Sequence, residues 1–250
     1  MMKKIFALAL ACVMSVGLLA GCGNSDAGSS TNSGDDAGAN SGKLTVKNYA
    51  YTAGFSYFGG IIGSNDGDGI ASIKNCTNTG DIDVDCPAAV RLGGVAAYTA
   101  CDLINSSFKG TITAKRLKYV SASRYATIGG LIGYTAQGIS GGSVDCVINA
   151  EGDNNIAIGG VMGTSGSDTW TGITVNADLT ASAGTYIGLL LGGKVSTSAV
   201  TVTLGSANSP INIRKGSKIN GVAIRADGND PLSGMTDGLT MRVNKVEYIN

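Results

Sequence analysis

The sequence IGGLIG at residues 128–133 recurs along the chain, and its recurrence decides the fold. Close copies are FGGIIG at 58–63, LGGVAA at 92–97 and IGGVMG at 158–163, and a degenerate copy is IGLLLG at 187–192. The first glycines of successive copies, here called hexads, are 34, 36, 30 and 29 residues apart, as in stacked repeats. We expect the first glycine of each close copy to supply backbone angles, or a close approach between coils, that a Cβ atom would prevent. These glycines are Gly59, Gly93, Gly129 and Gly159.

Between the hexads lie segments with the alternating pattern of β-strands. The segment at residues 73–82 aligns without a gap on residues 103–112, and two looser copies follow. In residues 81–85 aspartates alternate with aliphatic side chains, which is typical of a strand with one buried face. After residue 42 no long segment shows the periodicity of an amphipathic helix. The sequence therefore predicts an all-β fold.

The length and regularity of the repeat favour a parallel β-solenoid, or β-helix, of about five to six coils. Each coil of such a fold stacks on the previous one at the strand spacing of about 4.8 Å. A β-sandwich with similar hairpins is the alternative, but it does not require the same hexad at each interval. We expect a last, eroded hexad at residues 219–224 and a closing strand within residues 239–249.

The hexads at residues 58–63 and 128–133, each followed by a strand and another glycine turn, resemble the GLUG motif. That motif is found in surface and secreted bacterial proteins, including some large metallopeptidases that cleave immunoglobulin A. The resemblance covers roughly residues 58–192 and implies an extracellular repeat module. It brings no catalytic mechanism, because the zinc motif of those metallopeptidases needs histidines and this chain has none.

The N-terminal residues have the order of a bacterial export signal. Lys3 and Lys4 precede an uncharged apolar run of about 15 residues, which is shorter than the ~20 that a transmembrane helix needs. The run ends in LAGC at residues 19–22, which resembles the lipobox of bacterial lipoproteins. The resemblance implies that a signal peptide at residues 1–21 is cleaved and that Cys22 carries a diacylglycerol. The lipid on Cys22 would hold the protein at a membrane.

The composition divides the mature chain into a tether and a repeat domain. Residues 23–42 contain only Gly, Ser, Asn, Asp, Ala and Thr, so we expect a flexible tether at residues 22–42. Residues 43–250 carry the repeats, and we expect a C-terminal cap from about residue 205. This organisation predicts an extracytoplasmic protein that is lipid-anchored to the cell membrane and exposed at the cell surface.

The charged residues give no reason to expect a nucleic-acid partner. The 18 basic and 18 acidic side chains balance, and loss of Lys3 and Lys4 with the signal leaves the mature chain slightly acidic. Histidine is absent, which removes the usual acid–base group at neutral pH and the commonest transition-metal ligand. We therefore expect no catalytic residues and no cofactor.

Two stretches are candidate ligand-binding surfaces. The longest insertion between hexads gathers basic residues and tyrosines, and solenoids usually carry binding surfaces where the repeat is interrupted. Trp170, the only tryptophan, would stack on a sugar ring if its indole is exposed, but a half-buried corner residue is the preferred interpretation. The candidate residues are Lys115, Arg116, Lys118, Tyr119, Arg124, Tyr125 and Trp170. Their possible ligands are glycans, lipid headgroups or extracellular proteins, but a solvated loop is the preferred interpretation of the insertion.

Acidic residues offer two weaker candidate sites. Asp81, Asp83 and Asp85 alternate on one strand face, where paired carboxylates could cleave a polysaccharide. The next coil would bring Lys115 beside Asp85, however, so a solvated face is the preferred interpretation. Asp66 and Asp68 lie in a loop with oxygen ligands suited to Ca²⁺, but Asp-Gly pairs are also ordinary turn sequences.

Polar and sulfur-containing residues of the repeats have structural interpretations. Asn75 and Asn105 occupy equivalent positions of consecutive copies, which predicts a ladder of stacked amides. Cysteines downstream of the lipobox allow three disulfide pairings or buried thiols, and the sequence does not choose between them. These cysteines are Cys76, Cys86, Cys101 and Cys146.

Together, the anchor, the tether, the repeats and the missing catalytic groups favour a surface protein that is not an enzyme. Its expected role is adhesion, ligand binding or envelope structure. The alternative is a β-helix polysaccharide lyase or glycoside hydrolase that uses the outward Asp face. A substrate-binding lipoprotein of a transporter is disfavoured, because such proteins have two α/β lobes and this chain shows no βα alternation.

Overall fold

The computed structural model describes residues 38–47, 54–65, 72–135, 137–166, 168–194, 199–225 and 231–250. These residues form strands, turns and irregular segments, and none of them lies in a helix. Within the same ranges there is accordingly no helix that is long and apolar enough to span a bilayer. The predicted signal peptide, the lipidation site Cys22 and the loop with Asp66 and Asp68 lie outside the described residues.

The described strands are short, apart from two that follow one side of a whole coil. They are β1 (Gly38–Asn40), β2 (Leu44–Lys47), β3 (Ser56–Gly59), β4 (Ile62–Asn65), β5 (Ser72–Lys74), β6 (Cys76–Asn78), β7 (Ile82–Asp85), β8 (Val90–Gly93), β9 (Ala96–Thr99), β10 (Asp102–Leu117), β11 (Tyr119–Ser121), β12 (Arg124–Tyr125), β13 (Thr127–Gly129), β14 (Ile132–Thr135), β15 (Ile139–Gly152), β16 (Ala157–Gly159), β17 (Met162–Ser165), β18 (Asp168–Thr171), β19 (Thr174–Ala181), β20 (Tyr186–Gly188), β21 (Leu191–Lys194), β22 (Val200–Leu204), β23 (Ile211–Arg214), β24 (Lys218–Ile219), β25 (Val222–Ala223), β26 (Leu239–Val243) and β27 (Val246–Ile249).

The strands stack into a parallel β-solenoid of about six coils, as the sequence predicts. One long sheet contains 15 strands. In five of the coils, the strands of this sheet are followed by one strand of a first short sheet and one strand of a second short sheet. The first short sheet has the order β3-β8-β13-β16-β20, and the second has the order β4-β9-β14-β17-β21. Pairing between coils is parallel throughout these two sheets, which rules out the β-sandwich.

Each hexad forms the corner at which the chain passes from the first short sheet to the second. A Cβ atom on Gly129 would lie 2.0 Å from the carbonyl oxygen of Ile132, well inside contact distance. The other first glycines, Gly59, Gly93 and Gly159, have the same contact with the residue three positions later. None of the four has a positive φ. Of the two reasons expected from the sequence, close approach is therefore the one that the structure shows.

Aliphatic side chains stack in register inside the coils and form the core. Ile82, Ile112, Ile148 and Leu179 pair in one column of the long sheet, and each is at most 1% exposed. Full burial of one such side chain stabilises the fold by about 1.5–3 kcal/mol. A single continuous cluster connects this column with the aliphatic residues of the hexads.

The two ends of the described solenoid differ from the expected boundaries. Strand β1 pairs in parallel with β6, so the first coil begins within the last residues of the predicted tether. At the other end, β26 and β27 stack in parallel on β22 and β23, so the predicted strand at residues 239–249 continues the coil.

The expected last hexad at residues 219–224 is wrong. These residues form a hairpin between β24 and β25 with Asn220 and Gly221 at its turn. Both turn residues have positive φ, 49° and 77°, and Asn-Gly is the preferred sequence for such a hairpin turn. The hexad position of this coil is instead occupied by residues 231–234, where Leu190 donates its N–H to the carbonyl of Leu232.

An amide ladder exists, but at other residues than predicted. Asn75 and Asn105 share a left-handed backbone, with φ of 55° and 48°, and their two amides do not bond to each other. The stacked amides belong to Asn40 and Asn78, whose Nδ2 and Oδ1 atoms are 3.0 Å apart. Asn78 also donates to the carbonyl oxygen of Gly94 at 2.7 Å. The ladder therefore ties the long sheet to a hexad corner.

The thiols of Cys86, Cys101 and Cys146 are free and buried. No disulfide therefore joins any two of the four cysteines downstream of the lipobox. Burial raises the pKa of the Cys86 thiol to about 11, so it is uncharged at neutral pH. Burial also raises the pKa of Cys146.

Candidate ligand-binding sites

The strand-face aspartates are each bound to a neighbouring coil. Asp81 accepts the backbone N–H of Thr111 at 2.7 Å, and Asp83 lies 3.6 Å from the ammonium group of Lys43. Asp85 forms an ion pair with Arg116. These three carboxylates therefore hold coils together on a solvated face, in agreement with the preferred interpretation.

The predicted register beside Asp85 is confirmed, but its predicted ion-pair partner is wrong. Lys115 is the residue paired with Asp85 between strands β10 and β7. The register shifts between Ala114 and Leu117, where Arg116 adopts a positive φ of 58°. This irregularity directs the Arg116 side chain, rather than that of Lys115, to the carboxylate of Asp85.

The basic insertion is only partly available to a ligand. Besides Arg116, Lys118 is engaged by the neighbouring coil, through an ion pair with Asp153 at 3.2 Å. Lys115 is exposed and Arg124 is partly exposed. A surface made of all the predicted basic side chains therefore does not form.

The tyrosines of the insertion lie in a hairpin. Tyr119 and Tyr125 face each other across strands β11 and β12, with ring centroids 6.1 Å apart. The Tyr125 hydroxyl donates to the carbonyl oxygen of Lys194 at 3.0 Å. Burial raises the pKa of Tyr125 to about 12, so this hydroxyl keeps its proton at neutral pH.

The candidate ligand-binding role of Trp170 is wrong, and its indole is fully buried rather than half-buried. Trp170 is 0% exposed, because it stacks in register with Ile139 of the preceding coil and both side chains face the core. Strand alternation sends its neighbours Thr169 and Thr171 outward instead. These threonines line a depression that we call the polar groove.

The polar groove has a volume of about 370 Å³ and crosses three consecutive coils at the start of β10, β15 and β18. Its volume lies in the range of small-molecule sites. Carboxylate, amide and hydroxyl groups line it together with a comparable area of apolar surface. The lining residues are Asp102, Ile104, Gln137, Gly138, Ile139, Ser140, Asp168, Thr169 and Thr171.

The two carboxylates of the polar groove have different environments. Asp102 is exposed and accepts the backbone N–H of Gly138 at 3.0 Å. Asp168 is mostly buried, and burial raises its pKa to about 7 against the lowering effect of a 2.6 Å hydrogen bond from Ser165. At neutral pH Asp168 is thus divided between its protonated and ionised forms.

A second depression, the arginine pocket, lies where the two short sheets meet the β11–β12 hairpin. The Arg91 guanidinium carbon is 3.5 Å from the ring centroid of Tyr134 and 4.0 Å from that of Phe55. Tyr57 and Tyr98 are next in this cluster, at 5.5 and 5.3 Å. Burial lowers the pKa of Arg91, and the surrounding tyrosines oppose that shift. Its lining residues are Phe55, Arg91, Ala122, Ser123, Tyr125, Thr127, Tyr134 and Thr164.

The sequence-predicted site residues include neighbours of both depressions, but Asp102, Asp168 and Arg91 are not among them. Asp102 and Asp168 each lie nine residues after the first glycine of a hexad, so a hexad alignment would have brought them together. Arg91 and Tyr57 each stand directly before a hexad, and this shared position also marks one stacked column.

Comparison with known proteins identifies part of the repeat but no protein that shares the two depressions. Residues 56–83 match the family model described as the GLUG motif. No curated protein and no solved structure matches the chain. Among the described residues, no group of three or more cysteine or acidic side chains is placed to hold a metal ion.

Proposed function

We propose that this protein is a lipid-anchored surface protein whose solenoid binds an extracellular carbohydrate in the polar groove. The observation that carries the proposal is the groove itself, in which three coils present hydroxyl, amide and carboxylate groups side by side. Carbohydrates carry closely spaced hydroxyls, and such side chains are their natural hydrogen-bond partners. The role is recognition or adhesion rather than catalysis.

The groove differs from the other acidic surfaces in having free hydrogen-bonding capacity. Asp102 uses one oxygen for the Gly138 N–H, and its second oxygen is left for a ligand hydroxyl. The Thr171 hydroxyl donates a long hydrogen bond of 3.5 Å to the Ser140 hydroxyl of the adjacent coil, and Ser140 keeps its own proton to donate to a ligand. Beside them, Ile104 provides apolar surface for the C–H face of a sugar ring.

A glycan array followed by calorimetry on the full-length protein tests this proposal. For a glycan that binds the native protein, we expect Asp102→Ala to weaken binding about tenfold or more, since it removes a charged acceptor. Asp237→Ala is the matched control, because Asp237 is an exposed aspartate outside the groove. Absence of glycan binding by the native protein, or equal losses in both variants, would contradict the proposal.

A glycoside hydrolase is the second candidate, and the protonation of Asp168 favours it. Glycosidases use one protonated and one ionised carboxyl group in the same site, and here Asp168 and Asp102 would take these roles. Activity would then fall as the pH rises above about 7, where Asp168 loses its proton.

Release of reducing sugars from glycans that bind the protein distinguishes the two candidates. A hydrolase would lose its activity in Asp168→Asn while still binding the glycan. A protein that only binds the glycan would release no reducing sugar over hours, either as the native protein or as the Asp168→Asn variant. The strand-face aspartates are not needed by either candidate, because each is already bound to a neighbouring coil.

The membrane anchor is tested separately from the ligand. We expect cells that express the protein to incorporate an alkyne-labelled fatty acid into it, and Cys22→Ala to abolish the label. The same substitution should release the protein from the membrane fraction. Labelling that persists without Cys22 would contradict the proposed anchor.

A further inference from the structure

The arginine pocket is bounded by two columns of stacked residues. Arg91 and Thr127 are register neighbours on the first short sheet, and Tyr134 and Thr164 are register neighbours on the second. The β11–β12 hairpin closes the third side with Tyr125. The cavity measures about 40 Å³, which is room for about three water molecules or for one small polar group.

Three polar groups of this pocket are buried without a hydrogen-bond partner. They are the Nε atom of Arg91 and the Oγ1 atoms of Thr127 and Thr164. Thr127 is 3% exposed and Thr164 is 0% exposed. Folded proteins rarely leave such groups unpaired, because each unpaired group costs about 1–3 kcal/mol. Three of them around one cavity indicate that a polar occupant completes their hydrogen bonds.

The positive charge of Arg91 favours an anion as the occupant. No acidic side chain in the described part of the chain lies within ion-pair distance of Arg91. The aromatic rings of Phe55 and Tyr134 pack against the guanidinium of Arg91, whose in-plane Nε–H group is buried without a hydrogen-bond partner. In-plane guanidinium donors match the two oxygens of a planar carboxylate.

From this geometry we infer that the arginine pocket binds the carboxylate group of a ligand, with Arg91 as the anchor and Thr127 and Thr164 as hydroxyl partners. The cavity admits the carboxylate alone. The remainder of the ligand lies outside, near Tyr57, which is 38% exposed. This site is separate from the polar groove, and it does not depend on the proposed carbohydrate ligand of that groove.

Calorimetry of the full-length protein with glucuronate, glucose, acetate and phosphate tests the inference. Glucuronate and glucose share a ring and differ at the carboxylate, whereas acetate is a carboxylate without a ring. We expect glucuronate to bind, glucose to bind at least about tenfold more weakly, and phosphate not to compete. If acetate binds as well as glucuronate, the ligand is a small organic acid; if only glucuronate binds, it is a sugar acid.

Matched variants separate a binding role from a structural one. We expect Arg91→Lys to weaken glucuronate binding about tenfold or more, because lysine lacks the planar pair of donors, and Arg242→Lys on the exposed surface to have no effect. Thr164→Val keeps the arginine stack and the side-chain shape, so it should lower the affinity about fivefold without lowering the melting temperature. Asp102→Ala should leave glucuronate binding unchanged, since that residue lies in the polar groove.

Several results would overturn the inference. Failure of glucuronate and acetate to bind at about 50 mM would show a cavity that holds only water. If phosphate binds as tightly as glucuronate, the pocket binds anions in general and is not selective for a carboxylate. An unchanged affinity in Thr164→Val, together with a correctly folded protein, would remove the pocket as the site.

Discussion

Aspartates on the sides of the coils and the aspartates of the polar groove meet opposite surroundings. Asp83, Asp85, Asp145, Asp153 and Asp178 each lie within 4.0 Å of a lysine or arginine nitrogen. Each of these partners comes from an adjacent coil. Asp168 has no such partner in the described structure, and its burial raises its pKa. The same residue type therefore links coils in one region and stays poised between two protonation states in the other.

The difference follows from what the neighbouring coil places beside each carboxylate. Lys109 of β10 stands beside Asp145 of β15, and its hydrogen bond holds the pKa of that carboxyl below its usual value. The coil that precedes Asp168 offers Gln137, Gly138 and Ser140 at the groove, and none of these carries a charge. In a parallel solenoid, the identity of the stacked neighbour thus decides whether an acid stabilises the fold or is free for a ligand.

The largest expected effect comes from Asp168→Asn. The folded-state pKa of Asp168 is raised to about 7, so its ionisation destabilises the folded protein as the pH rises from about 4 to about 7. Asparagine does not ionise, so the variant escapes this loss. We expect the difference in the free energy of unfolding, variant minus native, to be larger at pH 8 than at pH 4 by on the order of 3 kcal/mol. Urea unfolding at both pH values measures this change, and an equal difference at pH 4 and pH 8 would contradict the raised pKa.

Ser165→Ala should produce the next largest effect. Ser165 donates its hydroxyl to Asp168 at 2.6 Å, and a hydrogen bond to a charged acceptor contributes about 1.5–3 kcal/mol. We expect a loss of about 2 kcal/mol at pH 8 and a further rise in the pKa of Asp168. The same substitution in the Asp168→Asn background should cost less, because the charge is gone. Equal costs in both backgrounds would show that Ser165 does not act through Asp168.

Asp145→Asn should have a smaller effect with the opposite dependence on pH. The folded-state pKa of Asp145 is lowered, so its contribution is complete above the unfolded pKa and is lost as the pH falls through the folded value. Its side chain is 46% exposed, and an ion pair of that exposure contributes about 0.5 kcal/mol. Thermal unfolding at pH 7 and pH 2 checks this sign. A variant that is more stable than the native protein at pH 7 would contradict it.

Asp83→Asn should have the smallest effect. Lys43 lies 3.6 Å from Asp83, and the two side chains are 57% and 30% exposed. We expect a loss of about 0.2 kcal/mol at low salt and none at about 1 M salt, because screening removes exposed ion pairs. Chemical denaturation at the two salt concentrations measures this loss. A salt-independent loss above about 1 kcal/mol would show that Asp83 does more than pair with Lys43.

The fold was predictable because it repeats at short range in the sequence. The hexads carry the glycines that the corner requires, and alternation in residues 81–85 marks the buried column of the long sheet. The Asn220–Gly221 hairpin is not predicted, because an apolar stretch with one glycine also resembles an eroded hexad. The Asn-Gly dipeptide is nevertheless a strong signal for a hairpin turn.

The candidate sites were harder to predict, because they depend on which side chains the coils stack. Asp102 and Asp168 come from two coils with one further coil between them. Nothing in the sequence around either residue indicates that Asp102 is exposed and Asp168 mostly buried. The full burial of Trp170 is not predictable for a similar reason. Its place in the core depends on register with Ile139, which composition and local pattern do not reveal.

The hexad corner also has a consequence for how such proteins change over generations. A coil contacts the coils on either side and presents the same corner to both, so one repeat can be duplicated or deleted without redesign of the rest. Each duplication would add about 4.8 Å to the stack and a fresh set of outward side chains. A lineage can thus lengthen the molecule and diversify its surface by the same genetic event.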